Sequence, residues 1–294
     1  MSQNLRVAVI GAGRMGVDHI QRLDRRIHGA EVSAVVDIDP DRAAAAVAGI
    51  PGAAAMSSVE EALENPDTDA VLLATPGFLH EDALHAILGR DLPVLCEKPL
   101  TPDSASAWRV VQAEEKLGRQ RIQVGFMRRY DAEYAQLQAL IRGGELGEVL
   151  MLHHQHRNPS TPPGFTNEML INDSVVHEFD AVRFFTGEEI VSVQVRTGKA
   201  TRNAPAGQQD PQQHLFLLSG HGLQKNLTIV GSLAAVLNNL LHHGGNILTL
   251  FKFHDQLLKH KIYYCAFDTG GLCGSKLHLV GTVCAVHFNA ISLL

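Results

Sequence analysis

Two hydrophobic patterns alternate along the first 125 residues. Short apolar runs, such as residues 70–74 and residues 5–10 with Arg6 as the one exception, are typical of strands that are buried on both faces. The segments between them carry apolar residues three and four positions apart, as at Ile20, Leu23 and Ile27, which is typical of helices. Repeated strand–helix alternation with short connections predicts a doubly wound parallel sheet, and therefore an α/β domain, over residues 1–125.

The pattern changes beyond Gly125. Residues 190–196 alternate apolar and polar side chains, which is typical of a strand with one buried face, and residues 149–156 are predicted to form a further strand. Residues 172–185 place four apolar side chains on one helical face. We therefore expect a second, α+β domain over residues 126–230, built on an open, mainly antiparallel sheet.

Residues 231–294 follow neither pattern. Their leucine-rich runs are interrupted by Asn, His and Gly pairs, and residues 203–294 contain only eight charged side chains. A sheet that buries one face needs apolar positions alternating with polar ones, and this segment does not supply them. We expect this atypical tail to pack poorly, to self-associate through apolar surface and to leave the second sheet incomplete.

Composition and charge narrow the classes of partner. The formal net charge of −6 argues against a nucleic-acid partner or an anionic membrane surface, and no run of about 18 apolar residues predicts a membrane span. The amino-terminal segment lacks the pattern of a signal peptide. Four cysteines match neither a disulfide framework nor zinc-ligand spacing, so we expect a protein of the reducing cytoplasm.

A glycine-rich run follows the first predicted strand and opens a helix. Its residues are Gly11, Ala12, Gly13, Arg14, Met15 and Gly16. Asp37 ends the next predicted strand, 21 residues after Gly16. This context predicts a dinucleotide site, with the phosphates at the helix N-terminus and the Asp37 carboxylate on the ribose hydroxyls. A carboxylate there repels a 2′-phosphate, which favours NAD over NADP. The alternative is a glycine turn that binds no ligand.

A lysine lies at the carboxyl end of another predicted strand. Ligands of open α/β sheets bind at that edge, where Lys98 could donate a hydrogen bond to a substrate hydroxyl beside a nicotinamide. The alternative is a surface lysine in a loop. Just beyond it, Thr101 and Pro102 predict the N-cap and the first residue of the next helix.

Asp173 and His177 are four positions apart in a predicted helix, so one face would carry both side chains. An imidazole can remove a hydroxyl proton near neutral pH, and a nearby carboxylate can hold it in place. The alternative is an ordinary polar helix face.

Three histidines lie close together at positions 153, 154 and 156. No cysteine or cluster of acidic residues near them in the sequence would complete a set of metal ligands, so we expect no metal. His156 and Asn158, at the end of a predicted strand, are instead candidates for substrate contacts.

These motifs together resemble the glucose–fructose oxidoreductase/inositol dehydrogenase/rhizopine-catabolism (GFO/IDH/MocA) superfamily. The resemblance rests on the glycine-rich run with His19, on Thr75-Pro76 followed by His80, and on EKPL at residues 97–100. Within the superfamily, VGFMRRYD at residues 124–131, HRNP at 156–159 and DSVVHEFD at 173–180 resemble the inositol 2-dehydrogenases. The resemblance extends from residue 5 to about residue 200.

The resemblance implies an N-terminal Rossmann domain and a C-terminal domain whose open sheet forms homodimers or homotetramers. It implies NAD-dependent oxidation of a ring secondary alcohol of a polyol, with a catalytic trio of Lys98, Asp173 and His177. In that trio His177 takes the hydroxyl proton, Asp173 orients it and Lys98 binds the same oxygen. A cis Lys98–Pro99 peptide bond is also implied. Implied cofactor contacts are the six residues of the glycine-rich run, Asp37, Thr75, Pro76, His80, Glu97 and Lys98. Implied substrate contacts are Met127, Arg128, His156, Asn158, Asp173 and His177.

The tail departs from the family pattern, which has a Tyr-containing segment beside the substrate. Three alternatives therefore stay open at this point. The chain could oxidise another polyol or sugar, it could bind NAD without turnover, or it could fail to fold stably.

Overall fold

The computed structural model describes residues 4–147, 149, 152–156, 164–200, 204, 207–209 and 212–219, and the backbone of four strands beyond them. The chain divides into two compact units, Met1–Phe126 and Met127–Leu294. The expected boundary at residue 231 falls where most neighbouring residues lie outside this description, and it stays a prediction.

The first unit is built on a six-stranded parallel sheet with the order β3-β2-β1-β4-β5-β6. Its strands are β1 (Leu5–Ile10), β2 (Ala30–Val36), β3 (Ala54–Met56), β4 (Ala70–Leu73), β5 (Val94–Cys96) and β6 (Ile122–Val124). The order reverses next to β1, where β4 pairs on the side opposite β2. This arrangement confirms the predicted doubly wound Rossmann sheet.

Helices connect these strands and cover both faces of the sheet. They are α1 (Arg14–Arg25), α2 (Pro40–Val47), α3 (Val59–Glu64), α4 (His80–Gly89) and α5 (Ser104–Lys116). One prediction was wrong: α5 begins at Ser104, because the Asp103 side chain accepts the amides of Ala105 and Ser106 as its N-cap. Thr101 instead lies one turn earlier, where it is buried.

The side chains of the central strands alternate between two buried faces of the sheet, which explains the apolar runs in their sequences. Ala8 and Ile10 of β1 pack in one cluster of buried residues, whereas Val7 and Val9 pack in another. Successive strand residues point to opposite faces, and both faces are covered by helices here, so the four positions from Val7 to Ile10 are all apolar.

The second unit contains a seven-stranded sheet with the order β12-β11-β13-β7-β10-β9-β8. Its strands are β7 (His153–His156), β8 (Ile190–Thr197), β9 (Gln212–Leu218), β10 (Asn226–Gly231), β11 (Tyr264–Phe267), β12 (His278–Val280) and β13 (Val286–Ala290). The antiparallel pairs are β8–β9, β9–β10 and β11–β12, and the other three pairs are parallel. The predicted α+β class is confirmed, although the described strands form a mixed sheet.

The helices of this unit are α6 (Ala132–Arg142), α7 (Asn167–Met169) and α8 (Val176–Thr186), with a π-helix over Leu170–Val175 between the last two. Phe185, Val182 and Phe216 are buried together in the core that α8 forms with β9.

Three short strands, β11 to β13, come from the segment that we expected to pack poorly. Most of residues 232–294 lie outside the described residues, as do the side chains of these strands, so that expectation stays a prediction. Among the described residues, no helix is both long enough and apolar enough to cross a membrane.

Candidate functional site

Close backbone packing at the first strand–helix turn requires two glycines. Gly11 has a φ of +99°, and a Cβ at this position would lie 2.7 Å from the Ala74 carbonyl oxygen. A Cβ on Gly16 would lie 1.8 Å from the carbonyl oxygen of Gly11. Both contacts are far below van der Waals distance, so a side chain at either position would displace helix α1 from the sheet.

Gly13, the remaining glycine of the turn, has open space beside it instead of a close contact. A Cβ on Gly13 would meet nothing within 4 Å among the described residues. Gly13 is also the N-cap of α1. No side chain caps this end of the helix, and the first turn of α1 contains no acidic residue. Helix N-termini present unpaired N–H groups and a positive dipole, so this end of α1 can receive an anion such as a pyrophosphate.

Asp37 follows β2 at the same edge of the sheet, and its side chain is only 7% exposed. Its Oδ2 accepts the Ala12 amide at 2.7 Å, and its Oδ1 accepts the Asp39 amide at 2.9 Å. The Arg42 guanidinium donates to Oδ1 at 2.7 Å. Burial raises the pKa of Asp37, but these hydrogen bonds outweigh it and bring the pKa below its usual value. Asp37 is therefore a carboxylate held in one orientation beside the glycine turn.

These features fit a dinucleotide. The open space at Gly13 allows close backbone approach, and the uncapped helix end and Asp37 lie at the turn that joins β1 to α1. Thr75 follows β4 at the same edge, and its buried Oγ1 has no hydrogen-bond partner in the described part of the chain. Arg14 and Met15 form the first turn of α1.

The segment after β5 contains Glu97, Lys98 and Pro99, and the Lys98–Pro99 peptide bond is cis, which confirms the geometry that the resemblance implied. Glu97 Oε1 lies 2.7 Å from Nε2 of His19, which projects from α1. This contact ties the Lys98 segment to the helix that begins at the glycine turn. The sequence marks His19 only as part of a motif and does not reveal its partner.

His80 links this segment to the loop that carries Thr75 and Pro76. Its ring is fully buried, with Nε2 2.8 Å from the Thr75 carbonyl and Nδ1 2.9 Å from the Pro99 carbonyl. The buried ring therefore holds the two loops together, and this placement supports a positioning role for His80. Cys96, which ends β5, is also fully buried, and burial raises the pKa of its thiol to about 12. It remains a neutral thiol.

In the second unit, Asp173 and His177 lie on either side of a change in helix type. Asp173 belongs to the π-helix Leu170–Val175, whereas His177 is in the first turn of α8 and is 7% exposed. The regular α-helix that the sequence predicts over residues 172–185 is therefore wrong at its start, where a π-helix replaces it. The common face predicted for Asp173 and His177 stays a prediction. Single π turns inside helices are frequent at functional sites.

A buried charge cluster adjoins His177. It consists of Arg128, His156 and Glu178, and we call it the Glu178 cluster. Glu178 is 1% exposed and forms an ion pair with Nη1 of Arg128, while His156 Nδ1 lies 3.2 and 3.3 Å from its two carboxylate oxygens. Burial raises the pKa of Glu178, but the charge of Arg128 and the hydrogen bond with His156 lower it more, so the net pKa lies below the usual range.

The other candidate contacts have varied surroundings. Met127 is 56% exposed. Two residues further on, Arg129 forms a bidentate ion pair with the buried Asp180, at 2.6 and 2.9 Å to Oδ1 and at 2.9 Å to Oδ2. Asn158 lies outside the described residues.

Glu178 and Arg42 are not among the site residues that the sequence predicts. The signal for Glu178 was present: together with Ala181, Val182 and Phe185 it occupies one helical stripe, and all four are buried. An acid in an apolar stripe indicates a buried partner of opposite charge. Arg42 gave no comparable signal, because an arginine in the first turn of an exposed helix is common.

Comparison with known proteins decides the family. Residues 5–126 match the model of an oxidoreductase family with an NAD-binding Rossmann fold, and residues 134–234 match the GFO/IDH/MocA C-terminal domain. The chain belongs to the GFO/IDH/MocA family of oxidoreductases. This membership confirms the resemblance, the fold class and the NAD cofactor that the sequence predicted.

Several relatives in this family are similar over most of the chain. An inositol 2-dehydrogenase of Arthrobacter sp. is 72% identical over 229 residues, which are 78% of this chain and 68% of that protein. An inositol 2-dehydrogenase of Renibacterium salmoninarum is 57% identical over 237 residues, covering 76% of this chain and 71% of the relative.

Solved structures of this family are also similar. A myo-inositol dehydrogenase from Lactobacillus casei, in complex with NAD(H) and myo-inositol, has a TM-score of 0.73 and 32% identity, covering 79% of this chain and 68% of that one. A probable dehydrogenase from Thermotoga maritima has a TM-score of 0.70 and 26% identity, covering 79% and 70%.

Proposed function

We propose that this oxidoreductase oxidises a ring secondary alcohol of myo-inositol to the 2-keto inositol, with NAD as the hydride acceptor. The observation that carries the proposal is the 72% identity to an inositol 2-dehydrogenase over 229 residues. The polar side chains Asp173, His177 and His156 support it, because a cyclic polyol offers only hydroxyl groups for recognition.

The N-terminal unit holds the dinucleotide. The glycine turn and the end of α1 receive the pyrophosphate, and the carboxylate of Asp37 accepts hydrogen bonds from the ribose hydroxyls. Thr75 and Pro76 line the same edge, while His80 and Glu97 hold the loops around it. When bound, NAD supplies the acceptor for the hydride that leaves the ring carbon.

Three residues act on the reacting hydroxyl. His177 takes its proton at a ring nitrogen, Asp173 orients the imidazole, and the ammonium group of Lys98 donates a hydrogen bond to the same oxygen. Removing the proton as the hydride leaves converts the C–O single bond to a carbonyl. Met127, Arg128, His156 and Asn158 are the proposed contacts to the other hydroxyls.

The experiment is a substrate panel. NADH formation is followed by absorbance for the full chain with myo-inositol, scyllo-inositol and glucose, and NAD binding is measured by calorimetry. We expect myo-inositol to have the highest kcat/KM. The variant His177→Ala should bind NAD normally while its kcat falls by about 10²–10⁴-fold. A higher kcat/KM for glucose would indicate a sugar dehydrogenase instead. NAD binding with no turnover of any substrate would indicate a non-catalytic binding protein.

We propose further that the enzyme is a cytoplasmic homo-oligomer, a tetramer or a dimer. The cytoplasmic location is supported by the four cysteines, whose spacing does not match a disulfide framework. The oligomeric state is supported by the edge strand β8, which exposes three apolar side chains, Val191, Val193 and Val195. Sedimentation equilibrium distinguishes a closed oligomer from a monomer or from open-ended association.

A further inference from the structure

The Glu178 cluster joins three separate elements of the second unit. Glu178 lies on α8 directly after His177, Arg128 lies in a short turn before α6, and His156 is the last residue of β7. The carboxylate contacts both of the other two side chains. A buried acid with one cationic partner and one imidazole partner can fix the geometry of both.

Charge balance determines what each partner contributes. The Arg128 guanidinium neutralises the Glu178 carboxylate, and both are almost fully buried, with side chains 7% and 1% exposed. The pair is therefore electrically neutral without any proton from His156. His154 and His214 also lie in the field of Glu178, and both are buried.

The contact to the ring determines the tautomer of His156. Its Nδ1 faces both oxygens of the carboxylate, and an ionised carboxylate can only accept hydrogen bonds, so Nδ1 carries the proton. In a neutral imidazole the other nitrogen, Nε2, is then an acceptor. It can receive a hydrogen bond from a hydroxyl group but cannot donate one.

We propose that Glu178 is a positioning residue that presents His156 Nε2 as a hydrogen-bond acceptor for a hydroxyl of the polyol. This inference rests on the proposed function, and it adds a selection rule. A substrate must offer a hydroxyl O–H to His156, so an ether oxygen at that position is rejected because it has no proton to donate.

The test reads the tautomer directly. Long-range ¹H–¹⁵N correlation spectra of the full chain, labelled with ¹⁵N-histidine, are recorded at about pH 8, where a free imidazole is neutral. The His156 signal is assigned by its loss in His156→Asn. We expect the Nδ1–H tautomer in the unmodified protein. In Glu178→Gln the amide oxygen accepts from Arg128 and the amide NH₂ faces His156, so the ring changes to the Nε2–H tautomer.

Kinetics supply a second readout. We expect Glu178→Gln to raise KM for myo-inositol at least tenfold and to lower kcat less than threefold, because His156 holds the substrate and does not remove the reacting proton. The matched control is Glu189→Gln, which removes an exposed carboxylate paired with Arg183 in the same unit and should change neither readout. If Glu178→Gln does not fold, Glu178→Asp retains the carboxylate and should keep the Nδ1–H tautomer.

An Nε2–H tautomer of His156 in the unmodified protein would overturn the proposal, as would a Glu178→Gln variant with an unchanged tautomer and KM. The tautomer measurement needs no substrate. A protein with the expected tautomer but no activity on inositol would therefore overturn the proposed substrate and leave the role of Glu178 in place.

Discussion

The carbonyl oxygen of Gly11 lies 1.8 Å from the point that a Cβ of residue 16 would occupy. The turn and helix α1 are therefore in direct backbone contact at Gly16. Gly13, between them in sequence, has open space around it. The close contact at Gly16 is needed for helix α1 to pack against the turn. The open space at Gly13 instead allows a ligand to approach the backbone.

This difference predicts opposite effects for two alanine variants. Gly16→Ala should destabilise the N-terminal unit, because its Cβ overlaps backbone that cannot move aside. Gly13→Ala should leave the melting temperature nearly unchanged, since its φ of −71° suits alanine, yet weaken NAD binding at least tenfold by blocking the pyrophosphate. Calorimetric melting and NAD titration separate the two effects. Normal NAD affinity in Gly13→Ala would place the pyrophosphate elsewhere.

The cofactor preference should depend on Asp37. We expect the unmodified protein to bind NAD at least tenfold more tightly than NADP, a difference of about 1.4 kcal/mol. Asp37→Ser removes the repulsion of a 2′-phosphate and also releases Arg42 to attract it, so the difference should shrink. Asp41→Ser, on the exposed start of α2, is the control. Equal binding of both cofactors by the unmodified protein would contradict this assignment.

The ion pair between Arg128 and Glu178 should be costly to break. Arg128→Ala leaves a buried carboxylate without its cation, which is expected to lower the free energy of unfolding by about 3–5 kcal/mol. Urea unfolding of the full chain measures the loss. Arg183→Ala breaks an exposed pair with Glu189 and should have little effect. The double variant Arg128→Met/Glu178→Leu removes both charges and should recover most of the stability.

His154 should make stability depend on pH. Burial lowers the pKa of its fully buried ring to about 3, whereas an unfolded histidine titrates near pH 6.5. Between these values the unfolded chain binds more protons, so the free energy of unfolding should fall as the pH drops below about 6.5, by up to about 1.4 kcal/mol per pH unit. His154→Gln should reduce that slope in urea unfolding between about pH 5 and 7, and a His28→Gln variant, at an exposed position, is the control.

The proposed catalytic trio predicts a common kinetic effect. Lys98→Ala, Asp173→Ala and His177→Ala should each lower kcat by about 10²–10⁴-fold, the usual contribution of a general acid or base, while NAD still binds. His85→Ala, on the exposed face of α4, is the control. A near-normal kcat in His177→Ala would show that another group removes the proton.

The amino-acid sequence by itself determined the Rossmann fold of the N-terminal unit and its NAD cofactor, and it predicts which residues hold that cofactor. Apolar runs buried on both faces, the glycine turn and Asp37 at the end of the next strand depend on neighbours within a few tens of residues. Such local patterns reflect steric and hydrophobic requirements that any parallel sheet with helices on both faces imposes. The chemistry of the catalytic candidates in the second unit was also recognisable from residue types and motifs.

Only the tertiary structure decided how the second unit arranges its polar groups. The change to a π-helix at Asp173 is a change in backbone hydrogen bonding, and residue spacing alone does not reveal it. The strand β7 pairs in parallel with β10 and β13, which follow it by many residues. Arg128 and Glu178 meet across 50 residues of sequence. Buried ion pairs form only where folding brings opposite charges together away from water, so their partners depend on long-range packing that no local period encodes.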